Sequence, residues 1–477
     1  MERRRFLQCS AGASAGFVLL ANSSTSWGFD TQPARHEVTS AGAVADVDKY
    51  RTAVGKLKAL PATDPRNWKT LASIHNSHCP HTNWWFLPWH RAYLFYFEQV
   101  CQDVLGDTTF RLPYWNWAKG SDVPAPFLDK SSSLFDATRQ KSAVPVESVS
   151  QALITGIVSS TSMVDLFSGA TKSDQQRQAS TAGRLEFGPH NGVHATLLGD
   201  MGNFMSPLDP VFWMHHCNID RIWASWSAIS GNSQPSAALW GKHLLARFYD
   251  SASKKQVSPA ASGMLSGKYV VPYDVYETAT GGRAASPHVS EIMMASPGQV
   301  QGATANASGG ARRLVGVASN IAPIALGSGA KISVAINGDL KSVTGNGSVA
   351  HAAGAEVQSE SYLVIEDVPK PKTPSTALRA FINCADPSLG TSIEDPTYVG
   401  TISFFGGEHS GMPGMGSSSF SVNITDVLRR AIEANYTPGS AVEVGLVPVD
   451  LSAPERVSKE EVIRPGRIQV IAVGSQL

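Results

Sequence analysis

The chain has 477 residues, too many for one ordinary core, so its length predicts two or three domains. The 39 basic and 39 acidic side chains balance, and no basic cluster follows the N-terminus, which argues against a nucleic-acid partner. Five scattered cysteines do not have the spacing of a disulfide framework.

The N-terminus has the pattern of an export signal, predicted over residues 1–26. Three arginines at positions 3–5 precede Phe6 and Leu7, and a short apolar run follows, SAGASAGFVLLA. The run is too short for a resident membrane helix, so no membrane partner is expected. The arginine pair followed by Phe-Leu is similar to the twin-arginine pattern. We therefore predict a periplasmic or secreted protein, with a general secretory signal as the alternative.

Residues 30–285 read as a mainly helical region. Apolar spacing predicts a helix over Val47–Leu60, and Pro65 opens a second helical pattern that runs through His75. Pro88 stands where a third helix can begin, over Trp89–Leu105. Residues 121–182 predict loops and short helices, and a further helix is predicted around Ala237–Phe248.

Histidines are concentrated in this region, where eight of the thirteen lie between positions 75 and 216. They form an upstream set and a downstream set: His75, His78, His81 and His90, then His190, His194, His215 and His216. His190 and His194 are four residues apart and would share one helix face, and the 215–216 pair precedes another helical pattern. Three imidazoles from two helices make a site for copper or zinc.

The last third of the chain changes character. Small and polar residues dominate 286–328, which we interpret as a linker. From 329 to 477, short alternating runs separated by turn residues predict an antiparallel β-sandwich, interrupted by one helix over Thr425–Ala434.

Two long motifs now give a family resemblance. The run H-x4-F-L-x-W-H-R-x2-L-x3-E spans His81 to Glu98, and D-P-x-F-W-x2-H-x3-D spans Asp209 to Asp220. Together they resemble the copper A and copper B regions of tyrosinases, catechol oxidases and molluscan hemocyanins, over roughly residues 45–285. The strands after the linker look like the β-rich domain of plant polyphenol oxidases. The resemblance implies a bacterial tyrosinase or polyphenol oxidase whose helical catalytic domain has a four-helix core.

The resemblance also implies two copper ions per chain, each held by three histidines. Copper B would take His190, His194 and His216, with His215 as a neighbour that is not a ligand. Copper A would take His81, His90 and one upstream histidine. We choose His75, because it ends a helical pattern, and His78 is the rival. A zinc hydrolase is disfavoured, since such sites usually include a carboxylate or keep an open position.

Cys79 lies two residues before His81. In fungal tyrosinases and molluscan hemocyanins a cysteine at this offset forms a thioether with the histidine, so the resemblance implies such a bond here. The alternative is a free thiol beside the metal.

The resemblance assigns roles to five more residues. In hydroxylating members a glutamate and an asparagine hold a water that takes the phenol proton, and Glu186 and Asn191 occupy those positions. Asn203 and Phe204 lie in a loop expected to touch substrate. Latent members bury the site under a C-terminal domain, and Phe405 is the candidate plug, within a loop at 404–416.

The predicted function is oxidation of phenols by dioxygen, with ortho-hydroxylation of monophenols and oxidation of catechols to o-quinones. The partners are then a small phenol or catechol and dioxygen, and an oligomer is left open. The alternatives are a catechol oxidase or o-aminophenol oxidase without monophenol hydroxylation, and a hemocyanin-like oxygen carrier, because reversible oxygen binding uses the same six histidines.

Overall fold

The computed structural model describes residues 33–160, 162–171, 181–229, 232–279, 312–336, 360–405, 417–433 and 441–473. Residues 33–477 form one unit by their contacts. The predicted export signal and residues 406–416 of the predicted lid loop lie outside the described residues. No helix in the described part of the chain is long and apolar enough to cross a membrane.

The first part of the chain is built from helices. They are α1 Val44–Ala59, α2 Trp68–His78, α3 Phe86–Leu105, α4 Val146–Val149, α5 Gln151–Ser159, α6 Met163–Phe167, α7 Asn191–Leu197, α8 Val211–Ser227 and α9 Ala238–Lys242. The Asn67 side chain accepts the Lys69 N–H at 3.0 Å and begins α2. Gly106 ends α3 at φ 68°, a left-handed conformation that costs glycine little. The strong periodic patterns at 47–60 and 89–105 therefore predicted real helices.

One predicted helix is wrong in extent. The helix expected around Ala237–Phe248 ends at Lys242. Beyond it, the Leu245 N–H donates to Pro259 O at 2.8 Å, and Phe248–Asp250 (β2) pairs with Lys255–Val257 (β3). Pairing with a distant segment thus replaced the local helical hydrogen bonds.

The centre of the helical region combines apolar packing with buried ion pairs. The Phe97 and Trp213 rings stack with centroids 3.4 Å apart between α3 and α8. Arg91 Nε donates to Asp220 Oδ1 at 2.6 Å across the same two helices. Buried charges are stable only when paired in this way, so these residues fix how α3 and α8 cross. Arg35, Glu98 and Tyr273 extend the same network.

The second part of the chain is made mostly of strands. They are β4 Arg312–Ser319, β5 Ile324–Leu326, β6 Ala330–Ala335, β7 Glu360–Pro369, β8 Thr376–Ile382, β9 Tyr398–Ser403, β10 Ser417–Asn423, β11 Ala441–Asp450, β12 Ser458–Ile463 and β13 Arg467–Val473. Helix α10, Thr425–Glu433, follows β10 as predicted. The order of a helical part followed by a strand-rich part is therefore confirmed.

Two sheets of this part share one apolar core. With Thr181–Ala182 as β1, their strand orders are β1-β10-β7-β13-β4 and β6-β11-β8-β9. Side chains from both sheets, such as Leu363, Ile365, Leu378 and Val444, are fully buried in that core. The strands begin at Arg312, inside the segment predicted as a linker to residue 328, so the β-rich region starts earlier than expected.

The two parts are joined by specific contacts as well as by the chain. Strand β1 belongs to the helical part, yet it pairs in parallel with β10 through Thr181 and Ala182. Glu147 of α4 receives hydrogen bonds from Arg379 at 2.7 and 3.1 Å and from Thr401 at 3.0 Å. These contacts hold the β-rich part against the face that carries the histidines.

Candidate metal centre

The three upstream histidines come from three separate segments. His75 lies on α2, His81 in the loop before α3, and His90 on the first turns of α3. Their ring centroids are 5.4 to 5.6 Å apart, and all three rings are buried. The structure therefore brings together the predicted set His75, His81 and His90, whereas the rival His78 is only half-buried.

The three downstream histidines are equally close. His190 ends a π-helical turn over Glu186–His190, which contains Pro189, and His194 follows on α7. The sequence had indicated that His216 precedes a helix, but the structure places it within α8. Ring centroids are 4.7 Å apart for His190 and His194 and 5.0 Å for His190 and His216. A π turn of this kind is frequent at functional sites.

Five of the six rings are held through Nδ1. His75 contacts Phe204 O at 2.8 Å, His81 contacts Glu186 Oε1 at 3.2 Å, His90 contacts Phe86 O at 2.7 Å, His190 contacts Asn191 Oδ1 at 2.8 Å and His194 contacts Met201 O at 2.6 Å. Each partner is an oxygen acceptor, so Nδ1 carries the proton and Nε2 keeps its lone pair.

The Nε2 atoms point into the cluster. Those of His81, His90 and His190 are buried and have no hydrogen-bond partner within the described ranges. Nε2 of His194 lies 3.4 Å from Nε2 of His216, so two nitrogens converge on one place. A buried nitrogen lone pair without a donor is costly, and a metal ion removes that cost. The donor set therefore fits the predicted metal ions.

The electrostatics keep these rings neutral. Burial, followed by the neighbouring histidines, lowers the pKa of His81, His190 and His216 well below the usual value. Burial also lowers the pKa of His90 to about 3 and of His194 to about 4. Since only a neutral imidazole binds a metal, the rings are prepared for ligation.

His215 differs from its neighbour His216, although both are buried near His190 and His194. Nδ1 of His215 accepts a hydrogen bond from Trp117 Nε1 at 3.0 Å. Its proton must then lie on Nε2, which removes the lone pair that a metal would need. This geometry favours His216 as the third downstream ligand.

Cys79 lies directly beside the upstream set. Its Sγ and the nearest ring nitrogens of His75 and His81 lie within 4.8 Å of one another, and all three residues are buried. Cys79 is thus a neighbour of the His81 ring, and the thioether itself stays a prediction.

Glu186 and Asn191 line one side of the cluster. Both are buried and border a cavity of about 320 Å³, together with His81 and Phe204. Burial raises the pKa of Glu186 to about 7, while hydrogen bonds from Ser168 and Thr82 and the charge of Lys370 act against it. Asn191 uses Oδ1 for His190 and donates Nδ2 to Ser403 O at 2.9 Å, so its amide contacts both parts of the chain.

The Phe405 ring packs against four of the six histidine rings, those of His75, His81, His190 and His194. Its ring centroid is 4.5 Å from that of His194, 4.7 Å from His81 and 4.9 Å from Phe204. The predicted plug is thus brought to the predicted site. The amide of Asn203 is engaged within its own loop, where Nδ2 donates to Gly199 O at 3.1 Å and Oδ1 accepts the Met205 N–H at 2.7 Å.

Several contacts of the site were missed at the sequence level. Lys370 donates to Phe405 O at 2.7 Å, and Glu186 is close enough to affect its pKa, which burial lowers to about 8. Ser168 and Thr82 donate to Glu186. No motif marks these residues, because each reaches the site through tertiary packing.

Comparison with known proteins agrees with this arrangement. The common central domain of tyrosinase matches residues 65–152 and 136–229. A tyrosinase from Hahella sp. (strain CCB-MM4) is 25% identical over 471 residues, covering 84% of this chain and 92% of that protein. (+)-Larreatricin hydroxylase from Larrea tridentata is 29% identical over 258 residues, and the match spans only 44% of either chain.

Solved structures extend the likeness to both parts of the chain. Latent apple tyrosinase covers 92% of this chain, and 97% of its own length is matched, with 25% identity and a TM-score of 0.66. A functional unit of octopus hemocyanin has the same fold at 16% identity and a TM-score of 0.53, covering 93% of this chain and 100% of its own. Residues 65–229 of the helical part thus match the common central domain of tyrosinase. Polyphenol oxidases and a bacterial tyrosinase are among the relatives of the chain.

Proposed function

We propose that the chain is a copper-dependent phenol oxidase that hydroxylates monophenols and oxidises catechols to o-quinones. The observation that carries the proposal is the set of six buried histidines, five of them held by an oxygen acceptor at Nδ1 so that Nε2 is available to a metal. His75, His81 and His90 would hold one copper ion, and His190, His194 and His216 the other. The paired coppers supply reduction of dioxygen and oxidation of the phenol ring when bound.

The side chains around the ions account for orientation and for proton transfer. Phenols lose their proton with a pKa near 10, so hydroxylation benefits from a base close to the ring. Glu186 lies on the cavity, and its pKa of about 7 suits a group that accepts a proton near neutral pH. Asn191 keeps the His190 ring in place and presents its amide at the same cavity wall. The apolar rings of Phe86, Phe204 and Phe212 limit water around the centre.

We also propose that the β-rich part is a sandwich that serves as a lid, with the four helices α2, α3, α7 and α8 as the core beneath it. The two sheets with one shared core support the sandwich, and the Phe405 ring among the histidines supports the lid. Substrate must then replace the Phe405 ring before it can react. The intact chain is therefore a latent enzyme.

The experiment measures oxygen uptake by the copper-loaded chain with tyrosine and with a catechol, before and after protease treatment that removes the lid. Uptake with both substrates is expected, and Glu186→Gln should reduce tyrosine turnover more than catechol turnover. Uptake with the catechol alone would identify a catechol oxidase, and an o-aminophenol tested beside it would reveal that alternative. Copper binding and reversible oxygenation without turnover of any substrate would identify an oxygen carrier.

Export through the twin-arginine route and the Cys79–His81 thioether belong to the same proposal. The route carries folded proteins, which suits a protein that acquires its metal before export. Mass spectrometry of the exported, purified chain measures both the cleavage near residue 26 and the loss of two hydrogens that a thioether requires.

A further inference from the structure

Two residues with unusual backbone conformations surround the Glu186 carboxylate. Thr82 has φ 54° and Ser168 has φ 63° with ψ −176°. A β-branched residue at positive φ is an outlier, and the region that Ser168 occupies is essentially restricted to glycine. Among the described residues only five other non-glycine positions have positive φ, so strain of this kind is rare in the chain.

Both strained residues donate hydrogen bonds to the same side chain. The Thr82 N–H donates to Glu186 Oε1 at 2.6 Å, and the Ser168 hydroxyl donates to Oε2 at 2.7 Å. Oε1 also lies 3.2 Å from Nδ1 of His81. Each carboxylate oxygen therefore has a fixed donor, and one of them in turn fixes a histidine of the metal centre.

The Ser168 hydroxyl is itself held in place. It accepts the Gly183 N–H at 2.8 Å, so its single hydrogen is left to point at Glu186. Gly183 packs so tightly there that a Cβ would lie 1.8 Å from Val164 O. Ser168 and Glu186 are both almost completely buried, which excludes solvent from competing for these hydrogen bonds.

We propose that Thr82 and Ser168 are positioning residues that clamp Glu186, so that one carboxylate both orients His81 and faces the substrate cavity. Strained backbone that survives beside a buried carboxylate needs compensation, and the two donated hydrogen bonds provide it. The role of Glu186 toward substrate rests on the proposed function. The effect of Glu186 on His81 does not rest on the proposed function, because it concerns metal binding alone.

The test is a double-mutant cycle read by copper affinity, measured by competition with a chelator. Outer partners of metal-binding histidines typically account for about 10- to 100-fold in affinity, so Ser168→Ala should weaken one of the two coppers about tenfold. Glu186→Gln should do the same. If Ser168 acts through Glu186, the double variant should be no weaker than Glu186→Gln alone.

Glycine variants separate the hydroxyl from the strain. Ser168→Gly loses the donor and relieves the backbone, so it should melt at a higher temperature than Ser168→Ala yet show the same loss of copper affinity. Thr82→Gly keeps the backbone N–H that donates to Glu186, so it should lose less copper affinity than the Ser168 variants. Asn320→Gly relieves another positive φ, at an exposed turn, and should leave copper affinity unchanged.

The ratio of tyrosine to catechol turnover is the second readout, and it should fall in Ser168→Ala. Unchanged copper affinity in Ser168→Ala and Ser168→Gly would overturn the clamp. It would also be overturned if the loss of copper affinity simply paralleled the loss of melting temperature across Ser168→Ala, Ser168→Gly, Thr82→Gly and Asn320→Gly. A chain that binds two coppers without oxidising any phenol would overturn the proposed function, while the affinity cycle would still decide on the clamp.

Discussion

The helical part and the β-rich part contribute to the same centre in opposite ways. The helical part supplies all six histidines and their hydrogen-bond partners, each held inside a core with buried ion pairs such as Arg91–Asp220. The β-rich part supplies one apolar ring, Phe405, and a lysine that holds its carbonyl. On the proposed function, chemistry that needs fixed geometry is built into the helical part, and the β-rich part controls access to it. We therefore expect that activity and access can be changed separately.

The largest effect is expected from replacing two adjacent histidines of the helical part, one at a time. His216→Gln should lower the affinity for one copper more than about 100-fold and abolish phenol oxidation. Removal of a metal ligand costs more copper affinity than removal of a residue that supports a ligand. His215→Gln is the matched control, since His215 already gives its Nδ1 lone pair to Trp117. Copper content after dialysis is the measurement. Equal copper loss in both variants would contradict the assignment of His216 over His215.

A second variant addresses the β-rich part. Phe405→Ala removes a buried aromatic ring, and burial of such a side chain contributes about 1.5–3 kcal/mol. The lid should open more often by a corresponding factor of about ten or more, so catechol turnover by the intact chain should rise. Copper content should not change, because Phe405 donates nothing to the metal centre. Unchanged turnover in intact Phe405→Ala, with full turnover after the lid is removed, would show that another contact excludes substrate.

The smallest expected effect concerns the contacts between the two parts. Arg379→Met removes both hydrogen bonds to Glu147 and should raise intact-chain turnover about fivefold, since hydrogen bonds to charged groups are worth about 1.5–3 kcal/mol and this pair is near the surface. Lys141→Ala removes an exposed contact to Ser452 O and should change turnover less than about twofold. Equal effects of the two variants would mean that the Arg379–Glu147 pair has no special part in closure.

The sequence predicted elements whose signal is local. Helix α3 was recognised from periodic apolar residues and Pro88, and most strands of the β-rich part from alternation. The helix around Ala237–Phe248 failed because hydrogen bonds from Leu245 to a segment fourteen residues away outweighed local propensity. Strand β4 was missed because it directly follows a segment of small and polar residues, and its short apolar run at 314–317 contains a glycine.

The candidate site divides along the same line. His81, His90 and His216 were found in the two motifs, whereas His75, His190 and His194 were found from helical patterns and spacing. The structure places all six in one cluster. Lys370 and Ser168 could not be found in this way. Lys370 is 184 positions from Glu186, and Ser168 depends on a backbone conformation that its residue type does not favour.

The pairing of β1 with β10 has a consequence for activation. Thr181 and Ala182 complete the edge of the lid sheet although they precede Glu186 in the helical part. A cut in the segment between the two parts would therefore leave a non-covalent heterodimer whose fragments still share a sheet. Departure of the lid fragment would expose the β10 edge, a surface prone to association with other strands. It would also release the segment that leads to Gly183, whose N–H holds the Ser168 hydroxyl. The Glu186 carboxylate would then be held less firmly in the freed catalytic fragment than in the parent chain.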